Sequence, residues 1–404
     1  MPDLHLLSPH GFRAAGIRAG IKLSGKPDVG LLVCDTLASA AAVFTTNKVI
    51  AAPVKVGREH VAAGRLRAVV VNAGNANACT GARGERDAKR MCALAAHAVG
   101  CEPKHVLPSS TGIIGHHLPM EKLERGIVDA GRSLGRDQEH ALLFADSILT
   151  TDLTRKAAAT EFRIGRQNVR LAGVCKGSGM IGPRMALPGK HATMLAYLTT
   201  DALITPALLR RLLAEAASGS FNAVTVDDHM STNDTAVVLA SGSSGVKIDS
   251  TRARGAFAVA LNEVCRSLAH QIAADGEGAT KVVTIAVKSA ASDDAARRIA
   301  RAIANSPLVK CAMHGNDPNW GRIVSAAGLA EAPFDPDRCI LTLQGTVVFR
   351  NGQPVAFDAE KLSAELRAKE VRVELTCRLG KGAATCWTCD LSKEYVTINA
   401  DYHT

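Results

Sequence analysis

An α+β fold of layered sheets and helices is predicted for this 404-residue chain, on three observations. Apolar residues supply 47% of the sequence and charged residues 21%, so the chain can bury a core large enough to offset its ordering entropy. Short aliphatic and β-branched runs bounded by turn residues come in clusters, with helical patterns between the clusters rather than after every strand. No internal repeat or low-complexity linker divides the sequence.

The first cluster holds four expected strands, 30–34, 42–45, 53–57 and 68–72. Helical spacing follows at 87–99 and 121–134. A second strand-rich stretch spans 161–175. Beyond it, Leu208, Leu209, Leu212 and Leu213 make one apolar face of a helix over 206–217. Strands are expected at 223–226 and 235–240. The longest helix covers 251–274, where Phe257, Val259, Ala260, Val264, Leu268 and Ile272 recur near helical spacing. A strand at 281–287, a helix at 293–304, a strand at 309–313 and a strand-rich end over 339–402 complete the reading. At about 100–200 residues per domain, the length suits two or three domains or one large layered unit.

Composition excludes several functions. The 48 Lys and Arg against 38 Asp and Glu give a net charge of +10, but the basic residues are interspersed with acidic ones, as in the run from Arg83 to Arg90. With 9 Phe, 3 Tyr and 2 Trp there are few platforms for base stacking, so no nucleic-acid partner is expected. The charge retains a use in attracting small anionic substrates. No apolar run approaches the roughly 18–20 residues of a membrane span, and the start lacks a basic region followed by an apolar core, so a cytoplasmic location is expected. Eleven cysteines, an odd number, argue against a disulfide framework. Cys386 and Cys389 form a lone CxxC in a segment that alternates like a strand, so they are expected to be structural and no metal site is expected.

Two loops invite chemistry. Gly177-Ser178-Gly179-Met180-Ile181-Gly182 satisfies GxGxxG and has Asp201 downstream, but a dinucleotide site needs a helix to open directly from the loop. Pro183 and Pro188-Gly189 forbid that helix. The same loop begins a different pattern: Lys176-Gly177-Ser178-Gly179-Met180-Ile181, then Ala192-Thr193-Met194-Leu195-Ala196, then Thr199-Thr200-Asp201-Ala202. These segments resemble the signature of the ornithine acetyltransferase / glutamate N-acetyltransferase family of arginine biosynthesis. So do Gly11–Gly16, Phe44–Asn47, Val71–Gly81, Pro108–Gly115, Ser231–Asp234, Asp275–Lys281, Asp317–Arg322 and the closing Ile398–Thr404.

The resemblance implies a layered α-β-β-α sandwich and self-cleavage of the Ala192–Thr193 bond. One precursor then gives two chains, 1–192 and 193–404, that associate as a heterotetramer of two alpha and two beta chains. It implies acetyl transfer from N2-acetylornithine to glutamate, with Thr193 as nucleophile and Thr111 and Gly112 as oxyanion hole. Substrate contacts are expected from Thr150 or Thr151, Lys176, Thr193, Glu277, Asn399 and Thr404. No cofactor is implied, and the sequence leaves open whether acetyl-CoA is a second acetyl donor.

Elementary chemistry agrees with these residue types. A threonine hydroxyl is a poor nucleophile without a base. Cleavage before Thr193 would free an α-amine with a pKa near about 8, fixed beside the hydroxyl it must deprotonate. Standing alone, Thr193 reads more readily as a helix N-cap ahead of 194–198, and 109–112 as a plain strand-to-helix turn with hydroxyl caps. Lys176 could pair with the substrate carboxylate or tune the Thr193 amine, and Glu277 could hold the substrate ammonium.

The sequence departs from the family pattern where Leu187-Pro188-Gly189-Lys190-His191 extends the segment before the scissile bond, and where Asp227-Asp228-His229-Met230 precedes Ser231. A third departure is Leu153 after Thr150-Thr151-Asp152. Two other readings stand beside the transferase: a related N-terminal-nucleophile amidohydrolase or aminopeptidase, in which water takes the acyl group, and an uncleaved, non-catalytic paralogue.

Overall fold

The computed structural model describes residues 4–182, 185 and 194–401. Strand β1 (Phe12–Ile17) pairs antiparallel with β2 (Val29–Phe44), Phe12 facing Cys34. β2 has 16 residues, far beyond the usual five or six. Its register against its other neighbour slips between Val33 and Ala38, where Thr36 and Leu37 are exposed. That irregularity lets the two halves of one strand serve two layers.

The chain continues through α1 (Ala52–Val61), β3 (Arg65–Asn75), α2 (Gly81–Val99), β4 (Val106–Ile113), α3 (Met120–Arg132) and α4 (Gln138–Ser147). Next come β5 (Lys156–Ile164), β6 (Gln167–Lys176), β7 (Leu195–Thr200), α5 (Pro206–Ser218), β8 (Thr235–Ala240) and α6 (Thr251–Ala274). The described strands of the first sheet run β4-β3-β2-β8-β7-β6-β5, with β1 beside β2.

Side-chain alternation assigns each face of this folded sheet. Leu32, Cys34, Ala40 and Phe44 of β2, Val69 and Val71 of β3, Leu195 and Tyr197 of β7, and Val237 and Leu239 of β8 share one core between the two halves. On one outside, Leu31, Val33, Ala68 and Val70 meet Met91, Cys92 and Ala95 of α2 and Leu123 and Ile127 of α3. On the other, Ala41, Val43, Ala196, Leu198, Ala236 and Val238 meet Leu209 and Leu213 of α5 and Phe257, Val264 and Leu268 of α6. The architecture is therefore the expected α-β-β-α sandwich.

A second sheet follows, from β9 (Val282–Ala290), with α7 (Asp293–Asn305), α8 (Pro307–His314), α9 (Trp320–Gly328), β10 (Ile340–Leu343), β11 (Thr346–Arg350), β12 (Gln353–Pro354), α10 (Ala359–Glu365), β13 (Glu370–Thr376), β14 (Gly382–Cys389) and finally α11 (Lys393–Asp401). Its order is β12-β11-β10-β13-β9-β14, with β9 and β13 parallel. Ser292 caps α7 by accepting from the Ala295 N–H, and Asp293 and Asp294 complement the positive end of the helix dipole. Ile299 and Ile303 of α7 then pack on Val283, Ile285 and Val287 of β9. Trp387 and Cys389 of β14 reach into the α6 core and join the two units.

Several expectations are corrected. Residues 53–57 lie in α1: Pro53 sits in its first turn, where its missing N–H costs nothing. Residues 309–313 lie in α8, started by Pro307 and by Ser306, which accepts from Val309 N–H. The apolar run there is too short for periodicity to separate helix from strand. Residues 223–226 form no strand, only a single bridge between Val224 and Trp387. The end of the chain contains two helices, α10 and α11, among its strands. Val259, placed on the apolar face of the long helix, is 68% exposed.

Candidate active site

Strands β3 and β4 run parallel, with Thr111 beside Ala73 and Gly112 beside Gly74. Gly112 has φ +129°, and a Cβ there would fall 2.4 Å from the Gly74 carbonyl carbon. Only glycine lets the two strand ends close this tightly. Asn233 staples them, its Nδ2 donating to Ser110 O at 2.9 Å and to Ala76 O at 2.6 Å. The Ser231–Asp234 run is held in turn by Thr45, whose Oγ1 donates to Ser231 O and whose N–H donates to Asp234 O.

Lys176 ends β6 and is almost fully buried. Its Nζ lies 3.7 Å from the Asp152 carboxylate. Asp152 is wholly buried and accepts from Lys156 Nζ at 2.7 Å, Gly177 N–H at 2.6 Å and Thr150 N–H at 3.1 Å. Lys156 also bonds Asp275 at 2.5 Å. Burial opposes ionisation of Asp152, but Lys176, Lys156 and the donated hydrogen bonds outweigh it and hold the carboxyl well below the usual range. This network fixes Thr150, Lys176 and the start of the glycine loop together.

The glycine loop forms no helix over residues 177–182. Its glycines serve close approach: a Cβ on Gly179 would meet the Glu277 carboxylate at 2.2 Å, and one on Gly182 the Asp228 backbone at 2.5 Å. Met180, at φ +54°, and Ile181 both donate backbone N–H bonds to Asp227. Burial raises the Asp227 carboxyl despite these bonds. Glu277 accepts from Asn399 Nδ2 at 2.9 Å, which brings α11 into the site.

These walls enclose a cavity of about 320 Å³ lined by Thr111, Gly112, Thr150, Thr151, Lys176, Glu277 and Asn399. Every described residue expected to form the oxyanion hole or to contact substrate thus lines one space. Ala192, Thr193 and Thr404, together with the extension Leu187–His191, lie outside the described residues. Their neighbour Met194 accepts from Thr235 N–H at 2.8 Å, and Leu195 pairs with Lys176. Residues 195–200 are strand, which removes the helix-cap alternative for Thr193.

Sequence reasoning gave no role to Ser231, Thr232, Asn233 or Met180, which also line the cavity; the Ser231–Asp234 run was the available signal. Asp234 is fully buried, and among the described residues neither of its carboxylate oxygens has a hydrogen-bond partner. Burial pushes its carboxyl well above the ordinary value. The CxxC cysteines enter different cores, Cys386 that of the second sheet and Cys389 that of α6. Among the described residues no cluster of three His, Cys, Asp or Glu is disposed to hold a metal, and no helix is long and apolar enough to cross a membrane.

The ArgJ family model matches residues 13–404. The arginine biosynthesis bifunctional protein ArgJ of Bacillus cereus is 44% identical over 407 residues, covering 100% of this chain and 98% of that protein. Its Geobacter sulfurreducens counterpart is 46% identical over 397 residues, covering 98% and 99%. Two solved structures are also similar. The arginine biosynthesis bifunctional protein from Bacillus halodurans is 43% identical with a TM-score of 0.44, over 45% of this chain and 95% of that one. Ornithine acetyltransferase complexed with ornithine from Mycobacterium tuberculosis is 34% identical with a TM-score of 0.41, over 46% and 98%.

Proposed function

The chain belongs to the ArgJ family, and from that membership we propose that it transfers acetyl from N2-acetyl-L-ornithine to L-glutamate through an acetyl-Thr193 ester. The observation that carries the reading is the cavity on which Thr111 and Gly112, Lys176, and Glu277 converge from three separate stretches of sequence. Self-cleavage frees the Thr193 amine, giving chains 1–192 and 193–404 that assemble two and two. The amine takes the hydroxyl proton as Thr193 Oγ1 attacks the acetyl carbonyl. Thr111 and Gly112 stabilise the oxyanion. The amide C–N bond breaks, the proton passes to the departing ornithine amine, and glutamate then takes the acetyl group from the ester.

Lys176 holds the substrate carboxylate and Glu277 its distal ammonium, with Thr150, Thr151, Asn399 and Thr404 completing the contacts. Mass spectrometry of the purified protein tests the cleavage: two chains are expected, one beginning at Thr193, and Thr193→Ala gives one uncleaved chain. Product analysis tests the acceptor. N-acetylglutamate is expected when glutamate is present; free acetate alone would favour the hydrolase reading. Replacing acetylornithine by acetyl-CoA in the same assay reads the second donor.

A further inference from the structure

A second cavity, of about 300 Å³, lies where α5 and α6 meet α7 and β14, and it shares no lining residue with the reaction cavity. Its described lining carries three guanidinium groups, Arg266 of α6 and Arg297 and Arg301 of α7, against one carboxylate, Glu215. Two of the three are already held. Arg266 lies 4.7 Å over the Trp387 ring and donates to Gly219 O at 3.3 Å. Arg301 donates to Asn222 O at 3.2 Å and pairs with Asp228 at 3.0 Å. Arg297, one turn earlier on α7, is half-exposed and reaches Asp294 only at 3.8 Å.

One wall is the edge strand β14. The Trp387 carbonyl accepts from Thr225 N–H, so its backbone groups point out of the sheet. Alternation then directs the N–H of Thr385, two residues earlier, out of the same edge into the cavity.

We propose that this cavity binds a small dianion, a phosphate or a dicarboxylate. Arg266 and Arg297 take its charge and the Thr385 N–H donates to a remaining oxygen. Planar guanidinium forks match both oxyanions, and with Arg301 paired to Asp228 and Glu215 to Arg211, the two guanidinium groups of Arg266 and Arg297 match the two charges of a dianion. The volume sits at the lower end for ligand pockets, which suits a small molecule and excludes a polymer. The site is independent of the acetyl-transfer reading.

The test is titration calorimetry of the whole protein with sodium phosphate and, separately, sodium succinate, at ionic strength fixed with sodium chloride. One saturable site per chain is expected for at least one of them, and the one that binds tighter identifies the ligand class. Arg266→Gln and Arg297→Glu should each weaken binding about tenfold or more. Arg297→Glu changes a half-exposed side chain and should leave thermal stability and acetyl transfer unchanged, so it stays informative if Arg266→Gln folds poorly. No saturable heat with either anion, or equal affinity in wild type and Arg297→Glu, overturns the proposal.

Discussion

Replacing Asp152 with asparagine removes one buried charge from between two buried ammonium groups. Lys156 Nζ lies 2.7 Å and Lys176 Nζ 3.7 Å from the carboxylate. At an effective dielectric of about 20 these distances correspond to about 6 and about 4–5 kcal/mol of attraction, most of it offset by the cost of dehydrating the charges. The residue left after breaking such a pair is about 3–5 kcal/mol. Asparagine adds a geometric conflict. One carboxylate oxygen accepts from Gly177 N–H and Lys156, the other from Thr150 N–H. Whichever position takes the amide NH2 group therefore sets donor against donor. Against a total stability of about 5–15 kcal/mol the variant should be severely weakened. Urea denaturation at pH 7 measures this directly. The pH dependence gives a second readout with a definite sign. The folded carboxyl is depressed, so its contribution is complete above the unfolded value of about 3.9 and is lost as pH falls through the folded value. The gap between wild type and variant should be widest near neutrality and narrow below about pH 4. A neutral-pH loss under about 1 kcal/mol, or a gap that stays constant in acid, would refute the network as a charge-based anchor.

Other substitutions give separable outcomes. Gly112→Ala should abolish acetyl transfer and lower the melting temperature, because the new Cβ meets the Gly74–Asn75 backbone within about 2.5 Å and that backbone cannot move aside; calorimetry and an activity assay read both. Glu277→Gln should raise KM for acetylornithine about tenfold or more with a smaller change in kcat, since the neutral side chain still accepts from Asn399 but no longer neutralises the substrate ammonium. Asp234→Asn should be neutral or stabilising at pH 7. The folded Asp234 carboxyl is raised, so its contribution is present below about pH 3.9 and is lost as pH rises through the folded value. Melting curves of wild type should fall relative to this variant as pH increases from 4 to 7.

The parts of the fold legible in the sequence were those with long, unambiguous periodicity. The helix over 251–274 is α6 to the residue, and 235–240 is β8. Short apolar runs failed for a physical reason. Residues 53–57 and 309–313 are runs of five too short for periodicity to separate strand from helix, yet the first contains the proline of a helix's first turn and the second follows a cap and proline that start one. The length of β2 was hidden as well. Its exposed Thr36 and Leu37 look like the end of one strand and the approach to another, whereas the chain only bends there as it passes from one layer to the next.

The site was legible as a set of residues and illegible as a mechanism of support. Thr111, Gly112, Lys176, Glu277 and Asn399 were singled out through segments that resemble a family, but what holds them could not be read from spacing. Asp152 was given no role in the sequence; the structure makes it the common acceptor for Thr150, Gly177 and Lys156. Asp275 is 123 positions away in sequence and still meets the same lysine. The GxGxxG loop shows how identical residues can serve different ends. Its glycines are needed because Glu277 and the Asp228 backbone press against their α-carbons, and no phosphate is involved in that requirement. A glycine therefore reports that something approaches closely, and only the fold says what; here it is the carboxylate proposed to hold the substrate ammonium.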